Sequence, residues 1–299
     1  MLVQRKSISA KLLSFLVFLQ AALIVTGGSV RLTGSGLGCP TWPECTPGSY
    51  TPIPNQAEGQ LHAWIEFGNR LLTFVLFFCA VAVVIIAFRV SSNAANKSRI
   101  RSLAGLQVLG ILGQGVLGGI TVLTDLHPLS VASHYMLSIF LIAGAISLRY
   151  ELLDLVKKPI EGLVGFLFPI IIWLTLIILA IGTVVTGSGP HAGDENAQRF
   201  GFELRTVASL HADFVIAVLV LTIVLLAISH HEKVSFLSRR LRIFLLILLG
   251  QGLIGYVQYF QDLPELLVAF HLIGSTLVWG YAWGMAKSLE SGFKLRKLS

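Results

Sequence analysis

Charge is what this chain has least of: Asp, Glu, Lys and Arg together make up 12% of its 299 residues, and only 15 residues are acidic. By contrast 55% of the residues are hydrophobic, and the mean hydropathy is +0.80. So small a share of polar side chains cannot cover a soluble globular surface, so an integral membrane protein is implied. Cysteine is scarce as well, at three residues. Two of them, Cys39 and Cys45, lie close together but fall short of the four ligands of a structural zinc site, and Cys79 sits within an apolar run where packing accounts for it. A cleavage pattern of small residues before Arg31 is absent, as is a long Arg- and Ser-rich presequence; a cleaved signal is therefore not expected, and a bacterial plasma membrane is favoured over an organelle.

Long hydrophobic runs fill the rest. Eight of them, near residues 12–30, 64–88, 103–123, 131–148, 163–186, 207–229, 243–260 and 266–286, approach the roughly 20 residues that cross a ~30 Å hydrocarbon layer as a helix. The net charge of +7 would suit a nucleic-acid partner, but its distribution argues against one. Of the 22 basic residues, 18 fall on alternate connections, from Arg5, Lys6 and Lys11 through Arg149, Lys157 and Lys158 to Lys294, Arg296 and Lys297. Arg31, Arg70, Arg199 and Arg205 remain for the other side. The positive-inside rule then predicts a multi-pass protein with both termini cytoplasmic and no nucleic acid bound.

The runs repeat. Gln114-Gly115-Val-Leu-Gly118, Asp125-Leu126 and His134 recur as Gln251-Gly252-Leu-Ile-Gly255, Asp262-Leu263 and His271, each pair 137 residues apart. Thr33-Gly-Ser-Gly36 is echoed by Thr186-Gly-Ser-Gly189. The predicted fold is all-α: eight transmembrane helices in two tandem four-helix bundles, residues 1–155 and 156–299. Because each unit has an even number of helices, the copies share one orientation, with a parallel pseudo-two-fold axis along the membrane normal. The glycines are explained by close helix packing.

An ionisable residue within a membrane helix marks a candidate functional site. His134, His211 and His271 lie 15 to 19 residues before the basic or histidine ends of their runs, about 22–29 Å deep at ~1.5 Å per residue. Imidazoles at one depth on facing helices suit the two axial positions of a haem iron. His211 and His271 pair across the second half. In the first half His134 faces helix two, where the matching position is Asn69. His62, seven residues earlier, lies about 40 Å from the basic face and is either a ligand on a tilted helix or a gate or propionate contact.

His62, Glu66, Asn69, Arg70 and Thr73 share one stripe of helix two. Glu66 and Arg70 form an i, i+4 pair that is either structural or chemical. Because Ala208 and Ala212 stand at the matching places of the second half, folding does not require the pair, and chemistry confined to the first half is favoured. Between Cys39 and Cys45 lie five residues with two prolines, on the presumed outer face where thiols can be oxidised. A disulfide or reversible dithiol is expected there, with two free structural thiols as the alternative.

With Thr33-Gly-Ser-Gly36, Cys39, Trp42-Pro-Glu-Cys45, Ile65-Glu-Phe-Gly-Asn-Arg70 and histidines at 134, 211 and 271, the chain resembles the haem A synthase (CtaA) family over essentially its whole length. The resemblance implies an oxidoreductase that converts the C8 methyl of haem O to a formyl group by successive hydroxylations, giving haem A for terminal oxidases. It implies haem b on His211 and His271, the substrate porphyrin in the first half near His134, and catalytic roles for Glu66 and Arg70. It also makes haem O synthase the expected substrate donor. The family motif on helix two has histidine where this chain has Asn69, and many relatives carry a second cysteine pair that is missing here. A di-haem b-type electron-transfer or quinone-linked cytochrome is the main alternative, a transporter the lesser one. The electron acceptor is not encoded in any motif, and a homo-oligomer is compatible with the sequence.

Overall fold

The computed structural model describes residues 2–91 and 95–291. Its helices are α1 (Leu2–Leu32), α2 (Gln60–Val90), α3 (Lys97–Leu123), α4 (Pro128–Leu152), α5 (Gly162–Ser188), α6 (Leu204–His231), α7 (Ser235–Phe260) and α8 (Glu265–Lys287). All eight are long and apolar enough to cross a membrane, and the protein is a multi-pass membrane protein. Each contains the apolar run expected of it. Most extend past that run, because intrahelical hydrogen bonds are the cheapest way to satisfy the backbone until water is reached. Large apolar side chains such as Phe78, Leu109, Trp173 and Leu246 face outward along the bundle, as lipid requires. Lys294, Arg296 and Lys297 lie outside the described residues.

The all-helical expectation gains one small addition. Strands β1 (Lys158–Ile160) and β2 (Leu289–Ser291) pair in parallel and tie the central linker to the chain that follows α8.

The repeated Asp-Leu dipeptides have one backbone solution. Asp125 and Leu126 have φ of 50° and 59°, Asp262 and Leu263 have 56° and 60°. In each, the leucine N–H bonds back to a carbonyl five residues earlier, to Thr121 at 2.9 Å and Gln258 at 2.8 Å. This left-handed ending stops α3 and α7 and satisfies carbonyls that would otherwise be orphaned. Each following helix then carries its histidine, His134 or His271, at its seventh position. Pro128 opens α4 at the position where a missing N–H costs nothing, and His127 Nδ1 accepts from Leu129 N–H at 3.2 Å.

Burial divides the core in three. One cluster joins α1 to α4 around Leu16, Ala80, Ile111 and Leu148; another joins α5 to α8 around Ile171, Leu225, Leu241 and Ala282. The third, with Ile24, Ile139, Ile142, Leu179 and Trp279, lies where α1, α4, α5 and α8 meet. Since lipid is as apolar as the core, packing and polar contacts hold such helices together. Gln20 donates to Gln107 at 2.6 Å between α1 and α3; Trp279 Nε1 donates to Ile139 O at 2.7 Å and Trp283 Nε1 to Ser147 Oγ at 2.9 Å between α8 and α4. At the end of the bundle away from the termini, Arg31 donates to Thr186 O (2.9 Å) and His191 O (2.5 Å), and Gly36 N–H donates to Gly193 O.

Candidate functional site

His211 on α6 and His271 on α8 meet with ring centroids 6.4 Å apart and planes inclined at 69°. Nδ1 of each is shut away from solvent with no hydrogen-bond partner. Both rings lie against helical glycines. A β-carbon on Gly182 of α5 would stand 3.4 Å from His211 Cε1, and one on Gly255 of α7 would stand 3.2 Å from His271 Cε1. A β-carbon at 255 would already crowd its imidazole, whereas one at 182 would just touch and a longer side chain would crowd.

A transition-metal ion binds imidazole nitrogen at about 2.0–2.1 Å, and that nitrogen lies about 1.1 Å from the ring centre. Two imidazoles on one iron therefore stand roughly 6.3 Å apart, centre to centre. The observed separation matches. Among the described residues no three His, Cys, Asp or Glu side chains converge as a metal site, so a bare ion would be short of ligands here. A porphyrin supplies four nitrogens of its own and needs only two axial donors, so the donor set fits a haem.

His134 on α4 repeats the arrangement singly. A β-carbon on Gly118 of α3 would stand 3.2 Å from its Cε1, and its Nδ1 is likewise buried without a partner. Gln114, one helical turn before Gly118, donates to His134 O at 3.1 Å and Ser138 Oγ at 2.6 Å, fixing α4 against α3 at this level. Asn69 of α2 is turned toward α1: its Oδ1 accepts from Thr26 Oγ1 at 2.7 Å, and its Nδ2 would lie 3.8 Å from a β-carbon on Gly27. Asn69 thus meets a glycine of the preceding helix. His62 stands apart from it, with Nδ1 2.9 Å from Ser35 Oγ at the loop end of α2.

Glu66 is 6% exposed and fully engaged. Oε2 accepts from Cys39 N–H at 2.6 Å; Oε1 accepts from Arg70 Nη2 at 2.6 Å and Nε at 3.1 Å. Arg70 reaches on to the carbonyls of Cys39 (2.8 Å), Thr41 (3.1 Å) and Glu44 (3.1 Å). The two side chains expected to do chemistry together therefore also fasten the first loop onto α2. That loop is closed by a Cys39–Cys45 disulfide, with both residues fully buried. Gln56 Nε2 donates to Gly38 O beneath it, and the Trp42 ring presses on Gly119, the residue after the glycine that seats His134. Cys79 is buried and free, as core packing predicts.

The histidines, the acid–base pair and the disulfide were all readable as residues. The seats were missed: Gly118 and Gly255 were assigned to helix packing alone. Their signal was present, since each precedes its histidine by 16 residues. Gln114 shares that signal with Gln251, while Gly182 and Trp42 carried no comparable one.

A sequence profile of the COX15-CtaA family, described as cytochrome oxidase assembly protein, matches residues 10–193. The chain belongs to that family. Among relatives of this cytochrome oxidase assembly family, a haem A synthase of Geobacillus thermodenitrificans is 31% identical over 122 residues, 39% of this chain and 34% of the relative. One of Methylobacterium sp. (strain 4-46) is 28% identical over 215 residues, 58% of this chain and 56% of the relative. One of Exiguobacterium sibiricum is 28% identical over 183 residues, 59% and 58% respectively. The chain thus spans between about a third and three-fifths of the length of these curated relatives. The profile includes the first loop, Glu66, Arg70 and His134 but ends before α6.

Proposed function

We propose that this protein is a haem A synthase, an oxidoreductase that converts the C8 methyl of haem O to the formyl of haem A. The observation that carries the reading is the His211–His271 pair, two imidazoles 6.4 Å apart with unpartnered buried nitrogens, in a chain whose relatives are named haem A synthases. In this reading the two tandem bundles have separate tasks. His211 and His271 hold haem b, which supplies one-electron redox chemistry when bound.

Haem O is the substrate of the first half, received from haem O synthase. His134 holds its iron or its porphyrin face, seated by Gly118 and steadied through Gln114. Asn69 offers an amide where an imidazole would give a second axial ligand, so His134 works as the sole protein ligand of this site. Two hydroxylations of the methyl carbon, each taking its oxygen from water and passing two electrons to an external acceptor with release of two protons, give a geminal diol, which loses water to leave the formyl group. Glu66, buried and paired with Arg70, stabilises positive charge developing at the oxidised carbon or accepts its protons, while Arg70 holds the carboxyl group in place and meets the loop. His62, at the loop end of α2 on Ser35, serves as a gate or propionate contact. In this reading both termini lie on the cytoplasmic side of a bacterial plasma membrane and the disulfide lies outside, an orientation that the distribution of basic residues supports.

The test is co-expression with and without a haem O synthase in cells that make no haem A, followed by extraction and mass identification of the haems. Haem A is expected only when both proteins are present. Bound haem B beside unconverted haem O, where an established synthase succeeds, would overturn the enzyme reading in favour of an electron-transfer cytochrome.

A further inference from the structure

At the end of the bundle that holds both termini, a cavity of about 320 Å³ opens where the two sets of four helices meet. Arg149 of α4 and Arg240 of α7 line it from opposite sets, together with Tyr281 of α8. Arg149 Nε is cut off from solvent and has no hydrogen-bond partner. Neither arginine joins an ion pair among the described residues; the nearby acid, Glu151, is taken up by Arg99 and Lys157. Arg240 is held in place, its guanidinium over the Phe236 ring at 4.5 Å and its carbonyl accepting from Tyr281 Oη at 3.2 Å. A positive-inside bias explains basic residues in water at helix ends. It does not explain why the Nε of Arg149 is closed off from solvent without a partner, in a cavity that a second arginine also lines.

We propose that this cavity binds the phosphate of an anionic phospholipid, which bridges the two halves. Planar guanidiniums match the oxygens of a phosphodiester, and the closed-off Nε–H of Arg149 lacks the acceptor that an anionic oxygen would supply. Phosphate oxygens could come from a lipid or from solution, and depth and lining select the lipid. Arg149 lies three residues from the end of α4, Gly284 three from the end of α8 and Arg240 five from the start of α7. At ~1.5 Å per residue that is about 5–8 Å inside the helix ends, the headgroup boundary of a ~30 Å core. Val17, Ile146 and Met285 give the cavity an apolar wall suited to glycerol and the first acyl carbons. Its floor is open, for a β-carbon on Gly284 would meet nothing within 4 Å. Basic pockets between helices on the positive side of a membrane are the sites where such headgroups bind. The proposal is independent of the haem reading.

The test is to purify the full chain in mild detergent, extract and quantify co-purified lipid, and measure exchange with phosphatidylglycerol in phosphatidylcholine nanodiscs. The wild type should retain about one anionic phospholipid per chain. The Arg149→Gln/Arg240→Gln double variant should bind phosphatidylglycerol at least about tenfold more weakly. Gly284→Leu fills the floor without touching charge and should lose the lipid as well; Arg239→Gln, on the exposed neighbour, should keep it. If the double variant fails to fold, Gly284→Leu against Arg239→Gln decides. Equal retention in Gly284→Leu and wild type, a wild type with no held anionic lipid, or full displacement by excess inorganic phosphate would each overturn the proposal.

Discussion

A glycine can be a residue whose only task is to be absent. At Gly255 the space belongs to the His271 ring, so Gly255→Leu should push that ring off its axis, while Gly252, with open space around it, should accept alanine. The expected result is loss of most bound haem b and of its low-spin absorption in Gly255→Leu, with Gly252→Ala unchanged or up to about 1 kcal/mol more stable. Retention of a normal spectrum in Gly255→Leu would remove His271 as a ligand. Asn69 poses the complementary question. Because it meets Gly27 as His211 meets Gly182, Asn69→His should restore a second imidazole to the first half and add a second low-spin haem signal, at the expense of the Thr26 hydrogen bond. Glu66→Gln keeps shape and removes charge. It should abolish most haem O conversion, and it should also loosen the first loop, seen as faster proteolysis between Thr41 and Glu44, since Arg70 loses its charged anchor. Conversion at the wild-type rate with a loosened loop would leave Glu66 only its fastening role. Composition and spacing made these ionisable residues legible, because a charge inside an apolar run stands out. Their hydrogen-bond partners were not legible, since Cys39 N–H and Thr26 reach them through tertiary structure.

At the scale of elements, all eight helices could be read in advance because a bilayer leaves the backbone no alternative over 20 apolar residues. What such a run hides is its partner. Every face is apolar, so period alone cannot say which side meets lipid and which meets another helix. The seam of α4 with α8 illustrates this: Trp279 looks like any interfacial aromatic in sequence, yet it is 1% exposed and donates to Ile139 O. Trp279→Ala should leave a cavity in the cluster shared by α1, α4, α5 and α8 and cost about 3–5 kcal/mol, read as a lower thermal midpoint in detergent. Trp279→Phe, which keeps most of the volume and loses the hydrogen bond, should cost only about 1 kcal/mol, the usual worth of a polar contact between membrane helices. Equal losses in both would mean that the hydrogen bond, not the packing, holds the seam.

For the whole molecule the repeat was legible because Gln114 to His134 and Gln251 to His271 keep one offset, and the paired Asp-Leu endings of α3 and α7 share one backbone. In the proposed function the asymmetry between halves is where their tasks separate. The disulfide loop, Glu66, Arg70 and the Trp42 contact with Gly119 all belong to the first four helices; His211 and His271 belong to the last four. The two are joined by the Arg31 and Gly36 hydrogen bonds, by those of Trp279, Trp283 and Tyr135 between α8 and α4, and by the packing of α1 and α4 on α8 and of α4 on α5. A Cys39→Ser/Cys45→Ser variant should therefore release the loop that holds Trp42 beside the His134 seat, while nothing it touches directly reaches the second histidine pair. Haem O conversion should fall at least about tenfold, with the bis-histidine spectrum of haem b intact in the same sample, because one misplaced wall of a site costs orders of magnitude in rate. Loss of both signals together would show that the halves are energetically one unit, and the division of labour between them would have to be given up.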